Sequence, residues 1–583
     1  MYVAITGSTD NRDVYIIQSY RKENGRTSSR IYKKLGKYND LLDKFSGDEE
    51  RMMTWAKDRA KAETEEYNRN SGIASVSFSQ AALISKGEER SFNVGYLFLQ
   101  RIYAGLRLDK ICRKIRSRYK FEYDINAILS DLVYARILSP SSKLSSYTYC
   151  QQLLEPPKYA LQDVYRALSV LANESDLIQE ELYRNSNYVS PRNVSILYYD
   201  CTNYYFEIEE EDSIKRYGKS KEHRPNPIVT MGLFMDADGL PLAFDIFPGN
   251  QNEQTTLKPL ETKIIRDYGC GGKFIFCSDS GLGSKSNRFF NSVADRSYII
   301  TQSLKKLKQE ERECAMNPKQ FKALGSERFV DLTELDENNE AIFNSVFYKE
   351  MPLITGKMDE TLIVTYSPKY AAYQRNIRNR QLERAKKMIA DGAMSKKTRN
   401  PNDPTRFIRK QTVTDEGEVA NKCICSLDEE QIAQEAQYDG FYAVVTNLEA
   451  DIGEIIRINR RRWEIEESFR IMKTEFEARP VYVQREDRIR AHFLTCYISL
   501  FVYRLLEKQL DCAYTCEEIL TTLRKMQMTR LSLSSGYVPA YRRTDLTDRL
   551  HEVAGFRTDY EFITRANLRS IVKNSKSALQ APK

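Results

Sequence analysis

Histidine is nearly absent from this chain: three occur in 583 residues, beside eleven scattered cysteines. Cys423 and Cys425 form a C-x-C, and Cys512 and Cys516 sit one helical turn apart. No second cysteine or histidine pair completes a tetrahedral zinc set, so free thiols in a reducing compartment are expected. Long apolar runs are missing too. The nearest candidate, Phe493 to Tyr503, is too short to cross a bilayer, and no membrane partner is expected. The N-terminal MYVAITGSTDNRDVYII lacks the basic-then-apolar pattern of a secretory signal. Internal repeats and low-complexity tracts are also lacking. These absences point to a soluble cytoplasmic protein.

A chain of this length exceeds one hydrophobic core, so several domains are expected. Residues 1–90 read as short strands and turns followed by a charged helix. Residues 91–188 read as an all-α module, with Leu97, Leu99, Ile102, Leu106, Ile111 and Ile115 at helix-like intervals. The texture changes at Val194, where Val194-Ser-Ile-Leu-Tyr-Tyr-Asp200 is a β-rich run ending in a carboxylate. Ile228 to Met235 and Leu242 to Phe247 are further strands joined by a turn at Asp238-Gly239. A helix over Thr255 to Asp267 precedes a fourth strand, Phe274-Ile-Phe-Cys-Ser-Asp279, which again ends in a carboxylate. A short helix and the strand Tyr298 to Thr301 follow. The order β-β-β-α-β-α-β is the skeleton of an RNase H-like fold, in which the first and fourth strands lie side by side. Asp200 and Asp279 would then face one ion.

That core reads as two parts, 189–305 and 439–510, interrupted by a mixed α/β insertion at 306–438. A helical region and polar tail occupy 511–583. Between Lys369 and Lys410 the insertion carries thirteen bases and three acids, a local excess above the +8 of the whole chain. Arg380, Arg384 and Lys387 recur on one helical face there. Either this face is merely solvated, or it tracks nucleic-acid phosphates.

The segment around Glu466 carries the most chemistry. On a continuous helix, Asn459, Arg462, Glu466, Arg470 and Lys473 fall within an arc of about 80°. Ile458, Ile465, Phe469, Met472 and Phe476 form an adjoining apolar stripe. Cations four residues either side of Glu466 also describe a salt-bridged surface helix. With Asp200 and Asp279, however, Glu466 completes three hard oxygen donors suited to Mg²⁺ or Mn²⁺.

Arg462-Trp-Glu-Ile-Glu466-Glu-Ser-Phe-Arg-Ile-Met-Lys473 resembles the signature of insertion-sequence DDE transposases of the Tyr-Arg-Glu-Lys branch. Both of its gaps, R-x₃-E and E-x₆-K, are kept, while the signature tyrosine falls on Asn459. Tyr199-Asp200-Cys-Thr-Asn and Cys277-Ser-Asp279-Ser-Gly-Leu resemble the family's two aspartate motifs. Phe247-Pro-Gly-Asn250-x-x-Glu253 resembles a recurrent stretch between them. The resemblance spans roughly 190–510. It implies Asp200, Asp279 and Glu466 as catalytic metal ligands for two ions, and Arg462, Arg470 and Lys473 as phosphate contacts. It also implies an N-terminal DNA-binding region, double-stranded DNA partners (terminal inverted repeats and target) and a homodimer on paired ends. The expected setting is a bacterial or archaeal nucleoid. A same-fold nuclease without strand transfer and a non-catalytic DNA-binding descendant are the competing readings.

Other residues read as structural. Asp236 and Asp238 suit a hairpin turn, whereas Asp245, inside a strand, is a harder rival for the metal. His492 reads as structural, and Trp463 as packing rather than a base-stacking surface. Gly218-Lys-Ser220 hints at a phosphate loop, but Ser213 stands where its first glycine belongs.

Overall fold

The computed structural model describes residues 1–577 apart from 9–10, 22–26, 72–75, 77, 79, 270–272, 356–357, 392–401, 414–421 and 533–535. The chain forms two compact units, Met1–Glu88 and Glu89–Lys583.

In the first unit, β1 (Tyr2–Ser8), β2 (Asn11–Arg21) and β3 (Thr27–Lys37) make an antiparallel meander. The two-residue period of β2 turns Val14 and Ile16 to one face, where both are fully buried. Val14 packs there with Tyr38 and Leu41 of the helix Tyr38–Lys44, and with Met52 and Ala56 of the helix Glu49–Ser71.

The second unit opens with β4 (Ser91–Asn93) and six helices between Tyr96 and Ser186. Asp124 caps the helix Ile125–Leu138 by accepting from the amides of Asn126 and Ala127, and Ser142 caps Lys143–Cys150. These helices surround a later one, Glu486–Gln509, which is buried along nearly its whole length. Among the described residues this is the one helix long and apolar enough to cross a membrane, yet 94% of its apolar window lies inside the protein. Each fully buried Phe or Leu on it contributes about 1.5–3 kcal/mol, so the core is where it is stable.

The chain then builds a ten-stranded mixed sheet. β5 (Ile196–Tyr205), β6 (Ile228–Asp236) and β7 (Pro241–Pro248) form an antiparallel meander. β8 (Ile275–Ser278) pairs parallel with β5, and β9 (Ser297–Thr301) parallel with β8. The adjacency expected of the first and fourth strands is thus present. β5 runs five residues past Asp200, so the carboxylate lies mid-strand rather than at its end. Polar Thr202 and Asn203 hide that continuation in the sequence, but both pair with β6.

The 306–438 stretch adds to this sheet. β10 (Phe321–Ala323), β11 (Phe329–Val330), β12 (Phe347–Thr355) and β13 (Met358–Tyr366) extend it beyond the core. β14 (Ile408–Val413) and β15 (Lys422–Leu427) form a separate hairpin. β16 (Phe441–Thr446) closes the excursion by pairing antiparallel with both β13 and β9. The sheet order is β11-β10-β12-β13-β16-β9-β8-β5-β6-β7. The C-terminal region, expected to be helical, also holds β17 (Gln527–Ser532) and β18 (Gly536–Pro539). β17 pairs with β4 from the far end of the unit, a long-range contact that local periodicity cannot register.

Both faces of the large sheet are covered, giving three layers. One face sends Leu197, Tyr199, Phe276 and Tyr298 against Leu257, Leu260 and Ile264 of the helix Leu257–Asp267. The other sends Tyr198, Leu233 and Cys277 against Ile458, Ile465 and Phe469.

Candidate active site

The parallel register of β5 and β8 sets the site. Tyr198 lies opposite Cys277, and two residues further along each chain come Asp200 and Asp279. With a period of two, both carboxylates belong to the face of Tyr198 and Cys277. On that face Tyr198 donates its hydroxyl to the Ile458 carbonyl at 3.0 Å, tying the helix Ile452–Arg460 to the sheet. The next helix, Trp463–Thr474, carries Glu466. The segment that packs on this face of the sheet therefore also carries Glu466.

The sequence expectation of one unbroken helix from Asn459 to Lys473 needs correction. A turn at Arg461 and Arg462 divides it, with the amides of Arg462 and Ile465 bonding three residues back rather than four. Arg462 sits at this joint. Its guanidinium lies 3.5 Å from Glu466. Burial opposes the charge of Arg462, but Tyr442, Glu466 and Asp279 outweigh it and hold its pKa above the ordinary value. Arg462 thus pairs with Glu466 and feels the charge of Asp279.

Lys473 sits further along the same helix, beside β5. Its ammonium donates to the Thr202 hydroxyl at 2.6 Å and lies 3.5 Å from Glu222. Burial and then repulsion from Lys221 bring its pKa down to about 8. Arg470 is exposed and pairs with Glu467 at 3.5 Å. Asp200 is pushed up to about 6, first by burial; Lys221 opposes that rise and Asp279 adds to it. Asp279 therefore lies near enough to raise Asp200, as one carboxylate does to another.

Sequence reasoning missed the strap between β5 and β6. Asn203 accepts from the Lys221 amide at 2.8 Å and reaches back to the Lys219 carbonyl, pinning residues 219–221 to β5. Lys221 donates to the Cys201 carbonyl and lies 3.4 Å from Glu253, while Glu222 pairs with Arg479. The signals available were the charged run Lys219-Ser-Lys-Glu222 and the Phe247–Glu253 stretch.

The rivals fall away. Asp245 pairs with Arg490 at 3.2 Å, and the charges shaping it are Arg490, Lys263 and Asp176 rather than the other carboxylates. Asp236 is fully buried against Arg192 and accepts from the Asp238 and Leu240 amides, as a hairpin turn requires. His492 is buried and bonded to the Ala478 carbonyl, with burial lowering its pKa, which is a structural arrangement. Trp463 departs from the packing expected of it. It is 56% exposed and, with Glu466, Arg462, Tyr370 and Tyr442, lines a cavity of about 390 Å³.

In the 369–410 stretch, Arg380, Arg384 and Lys387 are exposed on the helix Pro368–Ala390. Arg378 is instead bound at two points to Asp439, and Arg406 to Glu435. Lys396, Lys397 and Arg399 lie outside the described residues.

Residues 206–502 match the family described as Transposase DDE domain, just over half of the chain. The chain belongs to that family. The matched region contains Asp279 and Glu466 and begins six residues after Asp200. Among solved structures, a cryo-EM structure of a piggyBac transposase synaptic complex with hairpin DNA aligns over 84% of this chain and 85% of that one. The identity is 8% and the TM-score 0.36, a likeness too loose to build on. No curated protein matches.

Proposed function

We propose that this chain is a DNA transposase with an RNase H-like core. It cuts the ends of an insertion sequence and joins the freed 3′-hydroxyl to target DNA. The observation carrying this reading is the β5–β8 register, which gathers Asp200 and Asp279 on the face where the Glu466 helix packs. The strand order β7-β6-β5-β8-β9, an antiparallel meander followed by two parallel strands, supports the RNase H-like assignment.

The donor set fits Mg²⁺ or Mn²⁺, because hard carboxylate oxygens are what these ions take and the aspartates already bear mutual repulsion. Asp200, Asp279 and Glu466 would hold the metal, as two ions. When bound, it supplies activation of a water or 3′-hydroxyl and charge stabilisation for in-line phosphoryl transfer. Arg462 presents a planar fork that holds a phosphate beside Glu466, and Lys473 offers a point charge on the Asp200 side. Arg470, Arg380, Arg384 and Lys387 extend the phosphate-binding surface along double-stranded DNA. A homodimer on paired inverted-repeat ends, with DNA-binding helices in 91–188, in the nucleoid of a bacterial or archaeal cell completes the proposal.

The test uses Asp200→Asn, Asp279→Asn and Glu466→Gln on the element's own ends. Each is expected to abolish metal-dependent cleavage while keeping end binding, with Asp245→Asn as an active control. Appreciable nicking by any of the three removes that residue from the site. Cutting without preference for the ends would identify a nuclease instead.

A further inference from the structure

Neither the signature around Glu466 nor the two aspartate motifs assigns anything to Lys221 or Glu253. Yet no charge acts more strongly on Asp200 than the ammonium of Lys221. In return, Asp200 and then Glu253 are the largest attractions on Lys221, and Asp279 also contributes. Burial works against this charge, but the carboxylates outweigh it and hold its pKa above the ordinary value. The ammonium lies 3.4 Å from Glu253 and donates to the carbonyl of Cys201, the residue after Asp200.

The backbone is shaped to deliver this side chain. Asn203, buried on β5, receives the Lys221 amide, so the strap is fixed at the residue itself. Gly218 passes so close to Gly249 that a Cβ would meet the Gly249 carbonyl oxygen at 2.0 Å, and only glycine fits. Glu222, next along, is held by Lys473 and Arg479. The strap is therefore anchored on both sides of Lys221, while the side chain itself remains 43% exposed.

We propose that Lys221 is a resident cation of the catalytic cluster. It neutralises Asp200 and Glu253 while no metal is bound and yields its place when a divalent ion enters. Glu253 is then a fourth carboxylate of the site. This rests on the metal-binding reading of Asp200 given above. The physical consequence is competition: a protein ammonium and a divalent cation cannot both lie against the same carboxylates without mutual repulsion. Removing the ammonium therefore destabilises the metal-free protein and strengthens metal binding.

The experiment follows the thermal transition of the full chain without DNA, titrated with Mn²⁺. Lys221→Met is expected to lower the metal-free transition temperature and to shift the Mn²⁺ midpoint to a concentration lower by about tenfold, the scale of one partly screened charge. Lys221→Arg keeps the charge and is expected to stay within about twofold of wild type on the same grounds. Glu253→Gln is expected to move the midpoint upward. A Lys221→Met midpoint equal to wild type, or higher, overturns the proposal, as does Lys221→Arg behaving like Lys221→Met. Asp200→Asn separates the two levels. If it abolishes the Mn²⁺ response while Lys221→Met leaves the midpoint unmoved, the metal site stands and the resident cation falls. If Asp200→Asn responds like wild type, both fall.

Discussion

The side-chain amide of Asn459 donates to the hydroxyl of Tyr442 at 3.0 Å. The position that holds tyrosine in the resembled signature is thus asparagine here, but a tyrosine from β16 meets it in space. That hydroxyl also shares a 2.6 Å bond with Thr301 and faces Arg462. Tyr442→Phe is expected to cost about 1 kcal/mol of stability and to slow cleavage several-fold. A double-mutant cycle with Asn459→Ala, read by denaturant unfolding, checks the coupling; strict additivity would dissociate the pair.

Arg462 pairs with Glu466 within reach of the charge of Asp279, and its value lies in a planar fork. Arg462→Lys retains the charge and loses the fork, so cleavage is expected to fall by about tenfold or more with end binding nearly intact. Single-turnover cleavage on pre-bound ends measures this. A normal rate combined with a lower melting temperature would reduce Arg462 to a salt-bridge partner.

The exposed basic face and its buried neighbour are expected to behave differently. Replacing Arg380, Arg384 and Lys387 by alanine should flatten the salt dependence of DNA binding by about 0.9 in slope per lost phosphate contact. Stability should change little. Arg378→Ala strands Asp439 in a largely buried pair and is expected to cost about 3–5 kcal/mol. Salt-titrated binding and thermal melts of the two variants separate the roles.

A pH test falls on Glu261, fully buried in the helix Leu257–Asp267 and pushed up to about 7 by burial against the bond from Asn291. Its folded pKa exceeds the ordinary 4.5, so between those values the folded state holds more protons than the unfolded one. Stability from this group therefore falls as pH rises from 4.5 to 7 and stays reduced above that. Glu261→Gln is expected to be more stable than wild type at pH 8, by about 2–3 kcal/mol at most, and equal to it near pH 4. Melting temperatures across that range decide it; a difference independent of pH would refute the assignment.

Much of this was legible in sequence because it is local. β-rich runs mark β5, β6, β7, β8, β9 and β16, and Asp279 stands out just past the end of β8. The reading failed where a polar residue continues a strand, as Thr202 does, and where two helices share one apolar stripe, as at Arg461. It also failed where charges meet only through the fold. Lys221, Glu253 and Asp200 are separated by twenty residues or more, and no periodicity links them. Trp463 was misread because an aromatic beside an apolar stripe suggests packing, whereas the turn at Arg462 leaves it in the cavity beside Glu466.

The excursion from Thr301 to Phe441 leaves from β9 and returns on β16, its neighbour, with Thr301 paired to Val444. The excursion is tied to the core on its way, because β13 pairs with β16 and its Glu360 receives Arg288 and Tyr298. Changes in length are therefore expected to be tolerated in the separate β14–β15 hairpin and not in β13. The outlying hairpin can then vary while Asp200 and Asp279 keep their spacing.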